Sequence, residues 1–378
     1  MHNAPVSVVL FAGGGTGGHL TPALAIAEAM VQAAPGVEPY FVGAVRGVEA
    51  RVLPSRPYRY TLLPLEPIYR RQWWKNAGLP FALWRSLSGI GEVLRRERPV
   101  LVVGTGGYVC GPVVWAAMGR GIPGVIQEAN AYPGFATRRL AGRVRQLHLG
   151  FPEARQFLAP GPATEVFDSG NPIQPPPARP GKTADGRWQT SQAKVDLGLD
   201  PDRPLVLVVG GSQGSVAINE AVAAALSTGA WPRDAQLLWQ TGSGSFDRFR
   251  HLSSDACHQA AYFDPIAPAF AAADLVVSRA GAMSLAELAA WGLPSILVPL
   301  PTAAADHQLT NARAMAGAGA AVVLEQPQLT GASLADKVSG LLADPARLAD
   351  LSRAALARSR PRAAREIAHE ALRLVSNP

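Results

Sequence analysis

A buried strand, a glycine-rich turn and a helix follow one another twice in this chain, once in each half. The apolar run at residues 6–12 leads into GGGTGG, which begins at Gly13, and the apolar run at residues 205–209 leads into GGSQG, which begins at Gly210. Strand–turn–helix units of this kind are typical of parallel, doubly wound sheets. The sequence therefore predicts two Rossmann-like α/β domains.

The length and composition allow two separate hydrophobic cores. The chain has 378 residues, of which 48% are hydrophobic, and single cores rarely serve more than about 250–300 residues. Residues 171–203 are rich in proline and polar side chains and lack hydrophobic periodicity, so we expect a linker there. An N-terminal domain is then expected at residues 1–170, a C-terminal domain at 204–355 and a final helix at 356–378.

Charge and cysteine content exclude several classes of protein. The formal net charge is +7, which suits an anionic partner but equally describes a solvated, arginine-rich surface. Cys110 and Cys257 form no Cys-x-x-Cys pair, which argues against a disulfide framework or a thiolate zinc site and fits a reducing cytosol. We expect neither a signal peptide nor a transmembrane helix, because no basic start and no run of about 18 strongly apolar residues is present.

The first turn spells Gly13-x-Gly15-x-x-Gly18, which are the letters of the dinucleotide-binding fingerprint. That fingerprint also needs an acidic residue about 20 positions later, at the end of the second strand. Here the second strand ends near Ala44, and Glu38 lies before this strand and not after it. No Gly-Lys-Ser/Thr follows either turn. We therefore expect neither a dinucleotide nor a P-loop, and each turn is either a phosphate or diphosphate site or simply a tight turn.

His19 follows the first turn at the start of a helix. A helix N-terminus favours the neutral imidazole, which can accept a proton, although a lone histidine can also be purely structural. Two later strand-end loops carry Tyr108, Glu128 and Asn130, which should face the same crevice because parallel strands end at one edge. Glu128 is then a second candidate base, or else an ordinary helix-capping acid.

Polar residues also follow the strands of the second half. The strand at residues 275–278 leads into Gly281, where a helix opens with small residues and Glu287 lies away from its apolar face. After the next strand, Asp306 is expected to cap a helix that holds Gln308 in its first turn. This edge is the expected ligand side of the second domain.

Seven motifs together resemble the MurG family of peptidoglycan glycosyltransferases. They are GGGTGGH at 13–19, GTGGYVCGP at 104–112, QEAN at 127–130, GNP at 170–172, GGSQG at 210–214, SRAGAMSLAE at 278–287 and DHQLTNA at 306–312. The resemblance implies a GT-B fold, in which two Rossmann-like parallel α/β domains face across a cleft and the final helix packs back on the N-terminal domain. It implies an inverting transfer of N-acetylglucosamine (GlcNAc) from UDP-GlcNAc to the 4-hydroxyl of N-acetylmuramic acid (MurNAc) in lipid I. The product, lipid II, serves peptidoglycan synthesis and thereby cell shape and division.

The resemblance also implies roles for individual residues. His19 is the first candidate for the general base and Glu128 the second. Phe263 is expected at the uracil, Glu287 at the ribose and Gln308 at the GlcNAc hydroxyls. The donor-binding set is Thr16, Gly17, Gly18, Asn130, Ser212, Gln213, Gly214, Phe263, Ala282, Met283, Ser284, Leu285, Ala286, Glu287 and Gln308, and the acceptor-binding set is Gly14, Gly15, Gly106, Gly107 and Tyr108. No metal or cofactor is implied, because helix-start amides would stabilise the departing UDP.

The chain departs from the family pattern at two places. The family usually has His-Glu-Gln-Asn where this chain has QEAN at residues 127–130, so two of the four polar groups differ. The family also has an arginine after Gly-Asn-Pro that contacts the donor, and Gln174 stands at that place. Arg155 or Arg279 could supply the replacement charge.

Residues 67–85 interleave aromatic and basic side chains. Trp73, Trp74, Lys75, Phe81, Trp84 and Arg85 are the candidates for contact with an anionic inner-leaflet surface. The alternative is a loop whose tryptophans are buried, and the absence of a recognition motif argues against nucleic acid. We expect a peripheral enzyme on the cytoplasmic face of the membrane, in reach of its undecaprenyl-linked acceptor and of other cell-wall enzymes.

Three other functions fit parts of the same pattern. A diacylglycerol glycosyltransferase would share the fold and the lipid acceptor. A UDP-GlcNAc 2-epimerase would share the fold but would need no basic-aromatic segment and would carry more carboxylates and histidines. A non-enzymatic membrane adaptor would have no use for two nucleotide-type turns.

Overall fold

The structure, a computed structural model, describes residues 7–66, 79–177, 190–211, 214–301 and 306–376. The chain divides into two units, one comprising Met1–Gln174 with Arg360–Pro378 and the other Pro175–Ser359. The units change after Gln174 and after Ser359, a few residues later than the domain ends at 170 and 355 that the sequence predicts. Among the described residues, no helix is both long and apolar enough to cross a membrane.

The first unit contains a seven-stranded parallel sheet among its described residues. Its strands are β1 (Ser7–Gly13), β2 (Val37–Ala44), β3 (Arg59–Leu63), β4 (Leu101–Gly106), β5 (Gly124–Glu128), β6 (Gln146–Leu149) and β7 (Glu165–Phe167). The spatial order is β3-β2-β1-β4-β5-β6-β7, and each neighbouring pair is parallel. The order therefore reverses between β1 and β4, and open α/β sheets bind ligands at the carboxyl ends of such a pair.

The second unit contains a six-stranded parallel sheet among its described residues. Its strands are β8 (Leu205–Val209), β9 (Gln236–Gln240), β10 (Cys257–Ala260), β11 (Leu275–Ser278), β12 (Ser295–Leu297) and β13 (Val322–Val323), in the order β10-β9-β8-β11-β12-β13. All of its pairs are parallel. The reversal here lies between β8 and β11, so the second glycine turn again follows a strand at the switch point.

Helices connect the strands in both units. They are α1 (Gly17–Ala33), α2 (Glu49–Val52), α3 (Leu79–Glu97), α4 (Gly107–Met118), α5 (Phe135–Leu140), α6 (Ser191–Asp196), α7 (Val216–Ser227), α8 (Phe246–Phe249), α9 (Ala267–Ala272), α10 (Ala282–Ala290), α11 (His307–Gly317), α12 (Gly331–Leu342), α13 (Pro345–Arg358) and α14 (Ala363–Ser376). Short 3₁₀ turns lie at Leu53–Ser55, Pro152–Phe157, Arg250–Leu252 and Gln326–Gln328.

Strand β1 shows why its sequence is a continuous apolar run. Val9 and Phe11 pack on one face with α1 and α14, whereas Leu10 and Ala12 pack on the other face with α4. All four side chains are fully buried, and complete burial of a large apolar side chain contributes about 1.5–3 kcal/mol. Because alternate residues serve opposite cores, both faces of β1 must be apolar.

The final helix, α14, packs within the first unit. Its buried residues Ile367, Ala368 and Ala371 share a core with Ile26 and Met30 of α1. Its apolar residues are thus covered by the N-terminal part of the chain, although about 330 positions separate the end of α1 from the start of α14.

Part of the segment expected to be a linker is packed. Residues 190–203 contain α6, where Lys194 is buried and its Nζ lies 2.8 Å from Oδ2 of Asp274. The same aspartate accepts hydrogen bonds from Thr190 and from the backbone N–H of Leu205. The linker prediction is therefore wrong for these residues, because one buried ion pair supplies the anchoring that their composition does not reveal. Residues 178–189 lie outside the described part.

Candidate active site

The first glycine turn leads directly into α1. The helix begins at Gly17, and Thr16 precedes it in an extended conformation. Thr16, Gly17 and Gly18 are exposed. Because the first amides of a helix have no acceptor within it, this exposed start can donate hydrogen bonds to a ligand.

His19 lies in the first turn of α1 and is fixed by Thr105. Its Nδ1 lies 3.1 Å from the carbonyl oxygen of Thr105, and the Thr105 hydroxyl donates to the carbonyl of His19 at 2.7 Å. A carbonyl can only accept, so Nδ1 must carry the proton in the neutral ring. Nε2 therefore keeps its lone pair.

Burial lowers the pKa of His19 below its ordinary value. The carboxylates of Glu128 and Glu49 and the hydrogen bond to Thr105 oppose this shift. The net effect favours a neutral imidazole at neutral pH, which is the form that can accept a proton.

The residues expected to bind the acceptor surround His19. Gly106 and Gly107 adopt φ values of +100° and +76°, and a Cβ on Gly106 would lie 2.7 Å from Nδ1 of His19. Gly15 has a φ of +90°, and a Cβ there would lie 2.5 Å from the ring of Tyr108. The glycines are thus required by the close packing of two strand-end loops.

The carboxylate of Glu128 accepts hydrogen bonds from the residues that follow β5. It is 5% exposed, and its Oε1 accepts from the N–H and Nδ2 of Asn130. Its Oε2 accepts from the N–H of Gly134 at 2.9 Å and from the hydroxyl of Thr137 at 2.6 Å. Four hydrogen bonds occupy the acceptor sites of a carboxylate. The geometry therefore opposes Glu128 as the base and supports the alternative of a helix-capping acid, because Oε2 binds the N–H of Gly134, which directly precedes α5.

In the second unit, the described part of the glycine turn is held by Gln240. Gly211 and Gly214 have φ values of +89° and +76°, and a Cβ on Gly214 would lie 2.3 Å from the carbonyl oxygen of Thr241. Gln240, at the end of β9, donates from Nε2 to the carbonyl of Gly211 at 3.3 Å and accepts from the N–H of Phe263 at 3.0 Å. The amide proton of Phe263, expected at a nucleobase, is thus used by Gln240 in this structure.

The first turn of α10 carries part of the expected donor-binding set. Gly281 precedes the helix, and Met283 and Ser284 lie in its first turn, half-buried. The N–H of Leu285 donates to the carbonyl of Gly281 at 2.9 Å, and its side chain is buried. Because the N–H of Leu285 already donates within the helix, the amides before it are the ones left for a ligand, and the donor-binding role of Leu285 and Ala286 stays a prediction.

Burial affects the carboxyl group of Glu287, and hydrogen bonds hold the side chain of Gln308. Burial raises the pKa of Glu287, as expected for a half-buried carboxyl beside the core residues Leu285 and Leu288. Oε1 of Gln308 accepts from the N–H groups of Ala280 and Leu300, at 3.2 and 3.0 Å. Because Oε1 is the atom that accepts both bonds, the orientation of the amide group is fixed, and its other atom, Nε2, can only donate.

Asp306 does not cap α11 with its side chain. It has a φ of +53° and makes no side-chain capping hydrogen bond. The expectation of a capping aspartate is wrong because the residue adopts a left-handed backbone, which Asp tolerates better than most residues.

Comparison with known proteins decides between the functions that this fold allows. Residues 9–148 match the model of the glycosyltransferase family 28 N-terminal domain, and residues 205–367 match that of the C-terminal domain. The chain belongs to glycosyltransferase family 28.

Relatives of nearly equal length carry one name. A protein of Chlorobaculum parvum is 41% identical, over 95% of this chain and 97% of its own, and one of Moorella thermoacetica is 40% identical, over 98% and 99%. Both are named UDP-N-acetylglucosamine–N-acetylmuramyl-(pentapeptide) pyrophosphoryl-undecaprenol N-acetylglucosamine transferase. The crystal structure of Acinetobacter baumannii MurG matches with a TM-score of 0.76 and 26% identity, over 97% of this chain and 99% of that one.

The family 28 chain has the GT-B fold, but this fold also serves other reactions. A structure titled putative UDP-N-acetylglucosamine 2-epimerase, from Listeria monocytogenes, matches with a TM-score of 0.65 at 16% identity, over 96% of this chain and 95% of that one. That likeness concerns the fold alone. The domain models and the relatives near 40% identity separate this chain from the epimerase alternative.

Two arginines were candidates to replace the family arginine at Gln174. Arg155 lies in the first unit and pairs with Asp168 at 3.2 Å. Arg279 is 9% exposed, and its Nη1 donates to the carbonyls of Val298 and Pro299. Burial lowers the pKa of Arg279 to about 10. Because Arg279 directly follows β11 at the ligand edge, its position favours it over Arg155.

Some expected site residues lie outside the described part of the family 28 chain. These are Ser212, Gln213, Trp73, Trp74 and Lys75, together with the side chains of Phe81 and Trp84 on α3. Arg85 is described and exposed.

Sequence reasoning missed three residues of the site, namely Glu49, Thr105 and Gln240. Each lies in or next to a strand-end loop, which is the signal that could have found them.

Asp200 and Asp202 spell an Asp-x-Asp sequence, a pattern that can bind a metal ion. They precede β8, at the opposite end from the turn, and Oδ1 of Asp200 accepts the N–H of Asp202. Among the described residues, no group of three or more His, Cys, Asp or Glu could hold a metal ion.

Proposed function

We propose that this chain transfers GlcNAc from UDP-GlcNAc to the 4-hydroxyl of MurNAc in lipid I, with inversion, and so forms lipid II. The observation that carries the proposal is the identity of about 40% over almost the whole length with transferases of that name. The arrangement at His19 supports it, because an alcohol nucleophile needs a base at neutral pH.

On the acceptor side, His19 is the general base. Nε2 takes the proton of the attacking hydroxyl while the new bond forms to the anomeric carbon. The bond from that carbon to UDP breaks as the nucleotide leaves, and the configuration inverts. The loops that carry Gly14, Gly15, Gly106, Gly107 and Tyr108 shape the space around the imidazole.

On the donor side, the residues of the second unit hold UDP-GlcNAc. The first turn of α10 and the buried guanidinium of Arg279 stabilise the charge that develops on the departing UDP. Glu287 accepts from the ribose hydroxyls, and Nε2 of Gln308 donates to the sugar. Ser212, Gln213, Gly214 and Phe263 complete the donor set of the second unit.

The enzyme acts as a peripheral protein at the cytoplasmic membrane face, where its lipid-linked acceptor resides. Exposed aromatic and basic residues in the described part of the first unit support this. Trp115 of α4 and Phe135 of α5 are each 51% exposed, and the guanidinium of Arg139 lies 5.2 Å from the centre of the Phe135 ring. Aromatic rings with neighbouring cations suit an anionic lipid interface. Other cell-wall enzymes are potential partners there.

A transfer assay with three acceptors tests the proposal. Radiolabelled UDP-GlcNAc is supplied with a lipid I analogue, with diacylglycerol or with no acceptor. Label is expected only in the lipid I product. Transfer to diacylglycerol alone, or epimerisation of the sugar without an acceptor, would overturn the assignment.

A further inference from the structure

Glu49 lies beneath the first glycine turn and bonds to it. It is the first residue of α2 and is fully buried. Its Oε2 accepts from the N–H of Gly15 at 2.8 Å, and its Oε1 accepts from the N–H of Ala44 at 3.1 Å. One carboxylate therefore joins the turn after β1 to the end of β2.

The turn encloses this carboxylate closely. A Cβ on Gly14 would lie 1.9 Å from Oε1 of Glu49, and a Cβ on Gly47 would lie 2.0 Å from Oε2. The glycines thus make room for an anion that belongs to the chain itself. Glycine-rich turns before a helix usually offer such amides to an external phosphate.

Backbone amides balance the charge of Glu49. Within the described part of the chain, no Lys, Arg or His nitrogen lies within 4.0 Å of its carboxylate. A diphosphate on the same turn would have to approach a buried like charge, which is unfavourable where the local dielectric is low.

The described part of the second turn is built differently. The atoms nearest to a Cβ on Gly210 belong to Gly214 and Ser215, and those nearest to a Cβ on Gly214 belong to Thr241 and Gly242. A Cβ on Gly211 would have no described atom within 4 Å. Among the residues that the structure describes, no carboxylate takes the place at the second turn that Glu49 takes at the first.

We propose that Glu49 is a positioning residue whose carboxylate fills the anion-binding side of the first glycine turn, so that this turn receives sugar hydroxyls and not the diphosphate of the acceptor. The proposal rests on the proposed function for the identity of the acceptor. It assigns the diphosphate to other residues and gives the first turn a role in holding His19 against the sugar.

Titration of the full chain with inorganic pyrophosphate tests the exclusion of phosphate without any variant. The protein is labelled with ¹⁵N-glycine and saturated with UDP, which keeps pyrophosphate from the donor side. The signals of Gly13 to Gly18 are expected to show no saturable shift. A saturable shift of these signals in the wild-type chain would overturn the proposal, whatever the enzyme's acceptor proves to be.

Two substitutions separate the effect of the Glu49 charge from the effect of its side-chain length. Glu49→Asp keeps the charge but is one methylene shorter, so the turn moves and kcat is expected to fall about tenfold or more. Glu49→Gln removes the charge and puts an amide donor against a backbone N–H. It is expected to lower kcat similarly and to make the glycine signals respond to pyrophosphate, whereas Glu49→Asp leaves them silent.

The pH profile gives a readout that a purely structural role would not move. Glu49 and Glu128 are the carboxylates that raise the pKa of His19 against its burial. Tyr108 is a further titratable side chain that the described part of the chain packs at this turn. In Glu49→Gln the acid limb of kcat/KM is therefore expected at lower pH, and in Glu49→Asp it should stay in place.

Glu38→Gln is the matched control, because Glu38 lies on β2 and pairs with Arg59 on the exposed surface. It should keep the wild-type kcat and pH profile. Wild-type values of both in Glu49→Gln would overturn the proposal. If the wild-type enzyme fails to glycosylate lipid I, the proposed function fails, and the pyrophosphate titration still decides the role of Glu49.

Discussion

At the residue scale, the chemistry of His19 depends on one distant carbonyl. The residues around His19 are enough to place it at the start of a helix. The tautomer is set by the carbonyl of Thr105, which lies 86 positions away. Because this contact exists only once β1 and β4 are paired, no pattern around residue 19 could predict it.

Replacement of His19 is expected to remove most of the catalytic rate. General base catalysis contributes about 10²–10⁴-fold, so His19→Ala should lower kcat by that range and leave the KM for UDP-GlcNAc nearly unchanged. Steady-state transfer to a lipid I analogue measures both. His251→Ala, an exposed histidine of the second unit, is the control. Near-normal turnover of His19→Ala at saturating substrates would exclude His19 as the base.

The lowered pKa of His19 also has a kinetic consequence. The base must be neutral, and burial keeps it neutral to lower pH than a free imidazole. The acid limb of kcat/KM is therefore expected to have its midpoint below pH 6.5, the ordinary histidine value. An acid limb at or above that pH would contradict the environment described for His19.

At the element scale, strands and turns were predictable because their signals are short. The apolar runs of β1 and β8 and the glycines that follow them lie within about a dozen residues of each other. Glu49, Thr105 and Gln240 escaped prediction because each acts on another element. The packed segment at residues 190–203 was not predicted for the same reason, since the buried Lys194 pairs with Asp274, which is distant in sequence.

Gln240 links two such elements, and its removal should weaken donor binding. Its side chain joins the carbonyl of Gly211 to the N–H of Phe263. Loss of both bonds in Gln240→Ala frees the turn that leads to α7, so the KM for UDP-GlcNAc is expected to rise about tenfold. The KM for the lipid acceptor should hardly change. Gln192→Ala, on the surface of α6, is the control, and an unchanged donor KM in Gln240→Ala would remove this role.

His148 belongs to a chain of contacts that connects β6 through Gln146 to the final helix, and its burial should make stability depend on pH. Its Nδ1 contacts the Ser169 hydroxyl and its Nε2 contacts Oε1 of Gln146, whose Nε2 donates to the carbonyl of Glu370. Burial lowers the pKa of His148 to about 4. Between pH 6.5 and about 4 the unfolded state then binds more protons than the folded state, so the free energy of unfolding falls as pH falls.

This contribution is expected to reach about 2 kcal/mol between pH 7 and pH 5. Calorimetry of thermal unfolding at several pH values measures it, because it separates transitions of different units. His148→Gln should flatten the pH dependence of the transition that includes the first unit. His369→Gln, an exposed histidine of α14, should leave it as in the wild type. Equal pH dependence in all three proteins would refute the role of His148.

At the scale of the whole molecule, the fold and the reaction are separate questions. Two parallel sheets with glycine turns at their switch points define the GT-B architecture, and a putative 2-epimerase shares it at 16% identity. The reaction is carried by side chains placed at strand ends, which is why ordered motifs along the sequence indicated the family where the architecture could not.

Membrane contact is a property of the whole molecule that its surface should reveal. The chain has a net charge of +7 and exposes Trp115 and Phe135 in the first unit. We therefore expect it to sediment with phosphatidylglycerol vesicles, less so at high salt, and hardly with phosphatidylcholine alone. Replacement of both aromatic residues by serine should weaken partitioning about tenfold, because two apolar side chains no longer enter the interface. Tyr262→Ser, which removes an equally exposed ring from the second unit, should bind as the wild type does. If the double variant also binds as the wild type does, α4 and α5 do not contact the membrane.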